Sequence, residues 1–156
     1  MVIESARKND YEELLSIMQE CQDYHCSLRP DLYKIIKSSE QLKKREYKKL
    51  IKSNMIWVAR DKEIMGLVIC HRTRKSSQNY FKFYKSLNID VLSVKEKYKH
   101  RGVATELLNY SFEYAKKEKY KKVELQVCAS NDAARNLYDR FGFAEKTINM
   151  EKTAFL

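Results

Sequence analysis

Seven consecutive residues, Lys99-His100-Arg101-Gly102-Val103-Ala104-Thr105, hold the most suggestive chemistry in the chain. A glycine stands among basic residues, and behind it the apolar period becomes helical: Val103, Leu107, Leu108, Ser111, Tyr114 and Ala115 share one face. A first helical turn has backbone N–H groups with no partner and carries the positive end of the helix dipole. Gly102 lets an anion reach that backbone with no Cβ in the way. Together these make a cradle for phosphate. The stretch is not a GxxxxGK[ST] loop, and it lacks the glycines of GxGxxG. Taken alone, the same residues read equally well as a tight strand-to-helix turn beside a solvated basic face.

The elements on either side have to position it. Residues 80–94 read as a long strand whose apolar phase runs Leu87, Ile89, Val91 and then slips to Leu92 and Val94. A slip in a period of two predicts a β-bulge, here near residues 92–94, and bulges are frequent beside active sites. Downstream, Val123, Leu125 and Val127 alternate with Glu124, Gln126 and Cys128 as a strand. Ser130 or Asn131 then caps a helix with inner face Ala134, Leu137, Tyr138 and Phe141, and Gly142 stands at its C′ position. Residues 143–150 read as a last strand.

Upstream, residues 1–7 form a short edge strand. Asp10-x-x-Glu13 resembles a capping box opening a helix with Tyr11, Leu14, Leu15 and Met18 on one face. Residues 22–33 read as irregular around Pro30, and residues 40–53 as a basic helix. Residues 55–60 and 64–70 are strands joined by the polar turn Asp61-Lys62-Glu63, with Trp57 in the core. Residues 72–78 are a charged loop. The order βα(α)βββαβαβ, with no repeat or linker, predicts one mixed α/β domain over residues 1–156.

Composition excludes much else. The chain has 156 residues, 31 basic and 21 acidic, for a net charge of +10; 44% apolar residues suffice for one packed core. The longest clean apolar run, residues 55–59, is far too short to span a bilayer, and residues 1–7 do not read as a secretory signal. Cys21, Cys26, Cys70 and Cys128 form no CxxC pair and no zinc spacing, so no metal site is expected and reduced cysteines in the cytoplasm are. The basic stretches at 43–52 and 72–85 have no RNA-binding motif beside them and read as solvated faces, so nucleic acid is not the expected partner.

Two motifs in order break the tie at the loop. Arg101-Gly102-Val103-Ala104, followed by Asn131-x-x-Ala134-x-x-Leu137-Tyr138-x-Arg140-x-Gly142-Phe143, resembles the GNAT superfamily of acyl-CoA-dependent N-acyltransferases. The first fits the [RQ]-x-x-G-x-[GA] pyrophosphate loop, with Lys99 in place of the usual Arg or Gln. His100 and Ala104 replace glycines often found there. The second fits the N-x-x-A-x-x-L-Y-x-[RK]-x-G-F helix. The resemblance is strongest over residues 87–145. It implies a central, mostly antiparallel mixed sheet flanked by helices, and transfer of an acetyl group from acetyl-CoA to a primary amine in a ternary complex.

The resemblance also implies roles. The loop from Lys99 through His100 to Thr105 would bind the cofactor, the N–H groups from Arg101 through Thr105 holding the pyrophosphate, with positive charge from Lys97, Lys99 and Arg101. The strand around Leu92 and Val94 would pair with the pantetheine arm as an added strand, and an amide at Val94 or a neighbour would polarise the thioester carbonyl. Asn131 would bond the cofactor arm. Tyr138 would be the general acid, since a phenol of pKa ~10 is protonated at neutral pH and can give its proton to the departing thiolate. The base would be Asp90, with Glu124 or water as alternatives. Tyr24, His25 and Tyr33 would lie beside the acceptor site. The acceptor is a small molecule, a protein N-terminus or a lysine, which the sequence does not separate, and many relatives form homodimers. The competing class is a CoA-binding module without turnover, or a basic nucleic-acid-associated protein.

Overall fold

Alternation in residues 56–59 sets how the central sheet is covered. Successive strand side chains point to opposite faces. Ile56 and Val58 join a buried cluster with Tyr11, Leu14 and Ile17, whereas Trp57 packs its indole on Tyr110 and Tyr114, at ring-centroid distances of 5.3 and 4.7 Å. Helices therefore cover both faces. The computed structural model describes residues 1–75 and 83–154. The chain divides into two compact units, Met1–Gln126 and Val127–Leu156.

The first unit holds β1 (Val2–Ser5), α1 (Tyr11–Leu28), α2 (Ser38–Gln41), α3 (Lys44–Ser53), β2 (Ile56–Arg60), β3 (Ile64–Lys75), β4 (Tyr84–Val94), α4 (Val103–Lys117) and β5 (Lys122–Leu125). The five strands lie in sequence order; all neighbours are antiparallel except β4 and β5, which run parallel. The α1 face buries Leu67 and Ile69, and α4 covers the other with Val103, Leu107, Leu108, Ser111 and Ala115. This is the mixed, mostly antiparallel sheet flanked by helices that the sequence predicts. Trp57 is fully buried, as expected of a core residue.

Several expectations need correction. The irregular region begins later than residue 22, because α1 runs to Leu28 and stops only at the residues just before Pro30, where the ring's steric reach begins. Asp10 and Glu13 form no capping box. The Asp10 carboxylate accepts from the Arg7 N–H and the Arg60 guanidinium, both at 2.7 Å, and Glu13 accepts from the Ile64 N–H and Lys95. Tertiary cations outcompete the local cap. The charged residues 72–75 continue β3 rather than forming a loop; residues 76–82, the rest of that loop and the start of the expected strand, lie outside the described residues. The strand expected through Cys128 ends at Leu125.

In the second unit, α5 (Asp132–Arg140) starts where predicted: the Asn131 side-chain oxygen accepts from the Ala134 N–H at 3.1 Å. At its other end Gly142 adopts φ +78°, the Phe143 N–H donates to the Tyr138 carbonyl and the Gly142 N–H to the Asp139 carbonyl. This is a Schellman closure with glycine at C′. Residues 143–150 form no strand. Apolar alternation marks a face, but only ladder hydrogen bonds to a neighbour make a strand.

Candidate functional site

The register of β3 against β4 puts the bulge at Asp90. Val91 pairs with Ile69 and Ile89 with Cys70, so Asp90 is the extra residue. The expected position at residues 92–94 was too late by a few residues. The bulge explains the slipped phase: Leu87 and Ile89 share the α4 face with Leu92 and Val94, while Val91 and Ser93 turn toward α1, where the Ser93 hydroxyl donates to the Ile17 carbonyl.

The bulge also marks where one edge of β4 loses its neighbour. Strand β5 pairs with β4 only from Ser86 to Ile89 and ends there. On its other edge β4 stays paired with β3 as far as Val94. Among the described residues of this unit, no strand lies along the outer edge from Asp90 to Val94. An extended, amide-rich ligand can add there as a short strand would.

That edge leads directly into the basic turn. After a short 3₁₀ turn at Glu96–Tyr98, His100 takes φ +60° and Gly102 φ +78°, and Gly102 is the N-cap of α4 with no side-chain cap. The first helical bond is from the Glu106 N–H to the Gly102 carbonyl, 3.0 Å. The N–H groups of Val103, Ala104 and Thr105 are thus the unpaired donors of the first turn. Two left-handed residues ahead of an uncapped helix form a concave array of amides suited to phosphate. Val103 is buried, so it can offer a ligand only its N–H. Arg101, Gly102 and His100 are exposed.

The charges around the turn are less free than expected. Lys97 lies 2.5 Å from Glu63, which also takes Lys95 at 2.8 Å and the Tyr98 hydroxyl at 2.7 Å. Hydrogen bonds from Lys95 first, then Lys97 and Tyr98, hold the Glu63 carboxyl down to about 2. The Lys97 charge is therefore tied to the β2–β3 hairpin and is largely neutralised. Lys99 pairs with Glu96 and sits 5.2 Å from the centre of the Tyr24 ring. Arg101 lies over the Tyr98 ring and has no carboxylate partner among the described residues.

Asp90 faces a partner the sequence did not suggest. Both its carboxylate oxygens are 2.7 Å from Nδ1 of His71 on β3. The Glu124 carboxylate accepts from the Tyr84 hydroxyl at 2.9 Å. His25 stacks obliquely on Tyr33 at 5.3 Å, and burial lowers its pKa. In the second unit, the Tyr138 ring meets Phe143 edge-on at 5.5 Å, the apolar contact that accompanies a Schellman closure. Asn131 and Tyr138 thus lie on α5 and its cap, Asp90, Leu92, Val94 and residues 99–105 along β4 and the turn, Glu124 on β5, and Tyr24 and His25 on α1.

The model of the acetyltransferase (GNAT) family matches residues 12–143. The chain belongs to the GNAT acetyltransferase family. An uncharacterised N-acetyltransferase of Methanocaldococcus jannaschii is 43% identical over 51 residues, which is 33% of this chain and 23% of that protein. The chain thus matches less than a quarter of that relative's length. Among solved structures, a mutant form of the BH1408 protein of Bacillus halodurans superposes with a TM-score of 0.92 at 21% identity, covering 99% of this chain and 100% of the other. A predicted acetyltransferase of Clostridium acetobutylicum, described with acetyl-CoA, superposes at 0.73 with 18% identity, over 97% and 95% of the two chains. Both likenesses show the fold. Acetyltransferases of this family use acetyl-CoA, and the open β4 edge and the uncapped start of α4 fit that donor's amide arm and its phosphates.

Two features here were hidden from sequence reading. His71 is 19 residues from Asp90 and joins it only through the β3–β4 register. The positive φ of His100 leaves no compositional mark, because it is not a glycine.

Proposed function

We propose that the protein is an acetyl-CoA-dependent N-acetyltransferase of one domain over residues 1–156, acting on a primary amine in a ternary complex. The single observation that carries this is the continuity between the open β4 edge beyond Asp90 and the uncapped start of α4. Bound acetyl-CoA would supply an activated acyl group. Backbone N–H groups from Arg101 to Thr105 hold its pyrophosphate, with Lys99, His100 and Arg101 around it. Backbone groups at Leu92 and Val94 pair with the amide arm, and an N–H at Val94 or beside it polarises the thioester carbonyl. Asn131 bonds the arm, and Tyr138 gives a proton to the departing sulfur. Asp90 at the bulge is the acidic group of the deprotonation step, with Glu124 or water as the alternatives.

The acceptor is an amine of a small molecule, a protein N-terminus or a lysine. Work in the cytoplasm accords with four free cysteines, Cys21, Cys26, Cys70 and Cys128. No helix of the described residues is long and apolar enough to cross a membrane. The test is release of free thiol from acetyl-CoA against a panel of small amines and peptides. Release that depends on one acceptor class supports the reading. CoA binding with no release by any amine would make the protein a binding module instead.

A further inference from the structure

Strand alternation puts His71 on the α1 side of the sheet, opposite Asn88 and next to the bulge. Its side chain is 54% exposed and that of Asp90 42% exposed, so both are open to solvent. The Nδ1 atom is 2.7 Å from both Asp90 oxygens, and a carboxylate only accepts hydrogen bonds when ionised. The proton of neutral imidazole therefore sits on Nδ1, and the lone pair sits on Nε2. Among the described residues nothing bonds Nε2. Asp90 has both oxygens directed at His71, so the outward-facing basic atom of the pair is the imidazole nitrogen.

The surroundings preserve this arrangement. On the same face, Glu124 of β5 is held by the Tyr84 hydroxyl, and Asn88 donates to Thr73 and Ser86. On the opposite face Cys70 stays a thiol, because burial foremost and the Asp90 charge next push its pKa up. Arg72 is turned to the Ser53 carbonyl and the Tyr114 hydroxyl. Among the described residues, Asp90 is thus the charged group in contact with His71.

We propose that Nε2 of His71 is the proton acceptor for the incoming ammonium, and that Asp90 is a positioning residue acting through His71. This rests on the acetyltransferase reading above. One N–H bond of the ammonium breaks and its proton forms an N–H bond at Nε2. The amine keeps the freed electron pair for attack, and the imidazolium then returns the proton to water. The bulge is the device that brings this about, since the extra residue at 90 turns its carboxylate toward β3.

The experiment combines thiol release, calorimetric CoA binding and nitrogen NMR of the histidines. His71→Gln should lower kcat by about 10²-fold, within the usual range for a lost general base. It should also remove the acid limb of the kcat/KM profile and leave the CoA Kd unchanged. Added imidazole should restore part of the rate to His71→Ala. In the wild type, His71 should show a protonated Nδ1 and a bare Nε2, and Asp90→Asn should mix the two tautomers. If the wild type turns over while His71→Gln keeps kcat and the acid limb, the His71 role is wrong and the acetyltransferase reading survives. If the wild type binds CoA but releases no thiol with any amine, the transfer reading fails, and the role of His71 with it. A proton resting on Nε2 in the wild type would also overturn the proposal.

Discussion

Gly66 and Val103 meet where the sheet supports the start of α4. A Cβ added to Gly66 would lie 3.2 Å from Val103 Cγ1 and 2.7 Å from the Ser93 carbonyl oxygen. Gly66 pairs with Val94, so the absent side chain leaves room for both β4 and the first residue of the helix. Gly66→Ala forces one of these backbones to move. The expected destabilisation is roughly 1–3 kcal/mol, that of overpacking a tight core. Because β4 carries the edge for the amide arm and α4 the phosphate donors, CoA affinity should fall whichever of them shifts. Denaturant midpoints and calorimetric titration check both, and a variant with wild-type stability and Kd would show that the seat is slack.

Gly102 has a different need for glycine. It has φ +78°, yet nothing lies within 4 Å of an added Cβ. The demand is conformational, since L side chains are strained there. Gly102→Val should therefore fold with a loss of about 1–3 kcal/mol and weaken CoA by at least about tenfold, or ~1.4 kcal/mol. Gly102→Asn is the sharper test, because asparagine tolerates the left-handed region. It should melt close to wild type yet still bind CoA weakly, its side chain standing in front of the N–H groups. Undiminished binding by Gly102→Asn would mean that phosphate does not approach at this residue.

These two glycines show what was legible beforehand. Gly102 announced itself because basic residues precede it and a helical period follows, both local features. Gly66 did not, since its neighbours Ser93 and Val103 are brought in by strand pairing and helix packing. The bulge was visible as a slip in phase, but its site was not, because Val91 is apolar on either side of the sheet and only the pairing of Ile69 with Val91 identifies Asp90. Asp10 and Glu13 had cap spacing and were recruited by Arg60 and Lys95 from 50 and 82 residues away. The His71–Asp90 pair was hidden for the same reason. Period and turn chemistry are local, whereas ion pairs and register belong to the assembled sheet.

Tyr138 can be separated into a ring and a hydroxyl. Its ring packs edge-on against Phe143 at 5.5 Å and closes the end of α5. Tyr138→Phe keeps that contact. If the hydroxyl is the general acid, kcat should drop by about 10²–10⁴-fold with melting temperature and CoA Kd near wild type. Tyr138→Ala should lose kcat and also lower the melting temperature. Full kcat in the Phe variant across the pH range would leave Tyr138 with its packing role alone.

Glu63 gives a pH-dependent test of how the turn is anchored. Its carboxyl is depressed from an ordinary 4.5 to about 2, chiefly by the hydrogen bond from Lys95 and then by those from Lys97 and Tyr98. A depressed acid stabilises the fold fully above its unfolded value, and that stabilisation disappears as pH falls from there through the folded value. The difference in melting temperature between wild type and Glu63→Gln should be constant near neutrality, then shrink between pH 4.5 and about 2. Added salt should reduce it, because the carboxylate is 37% exposed and Lys97 60% exposed. A difference that persists undiminished at pH 2 would show that Glu63 acts through packing rather than charge.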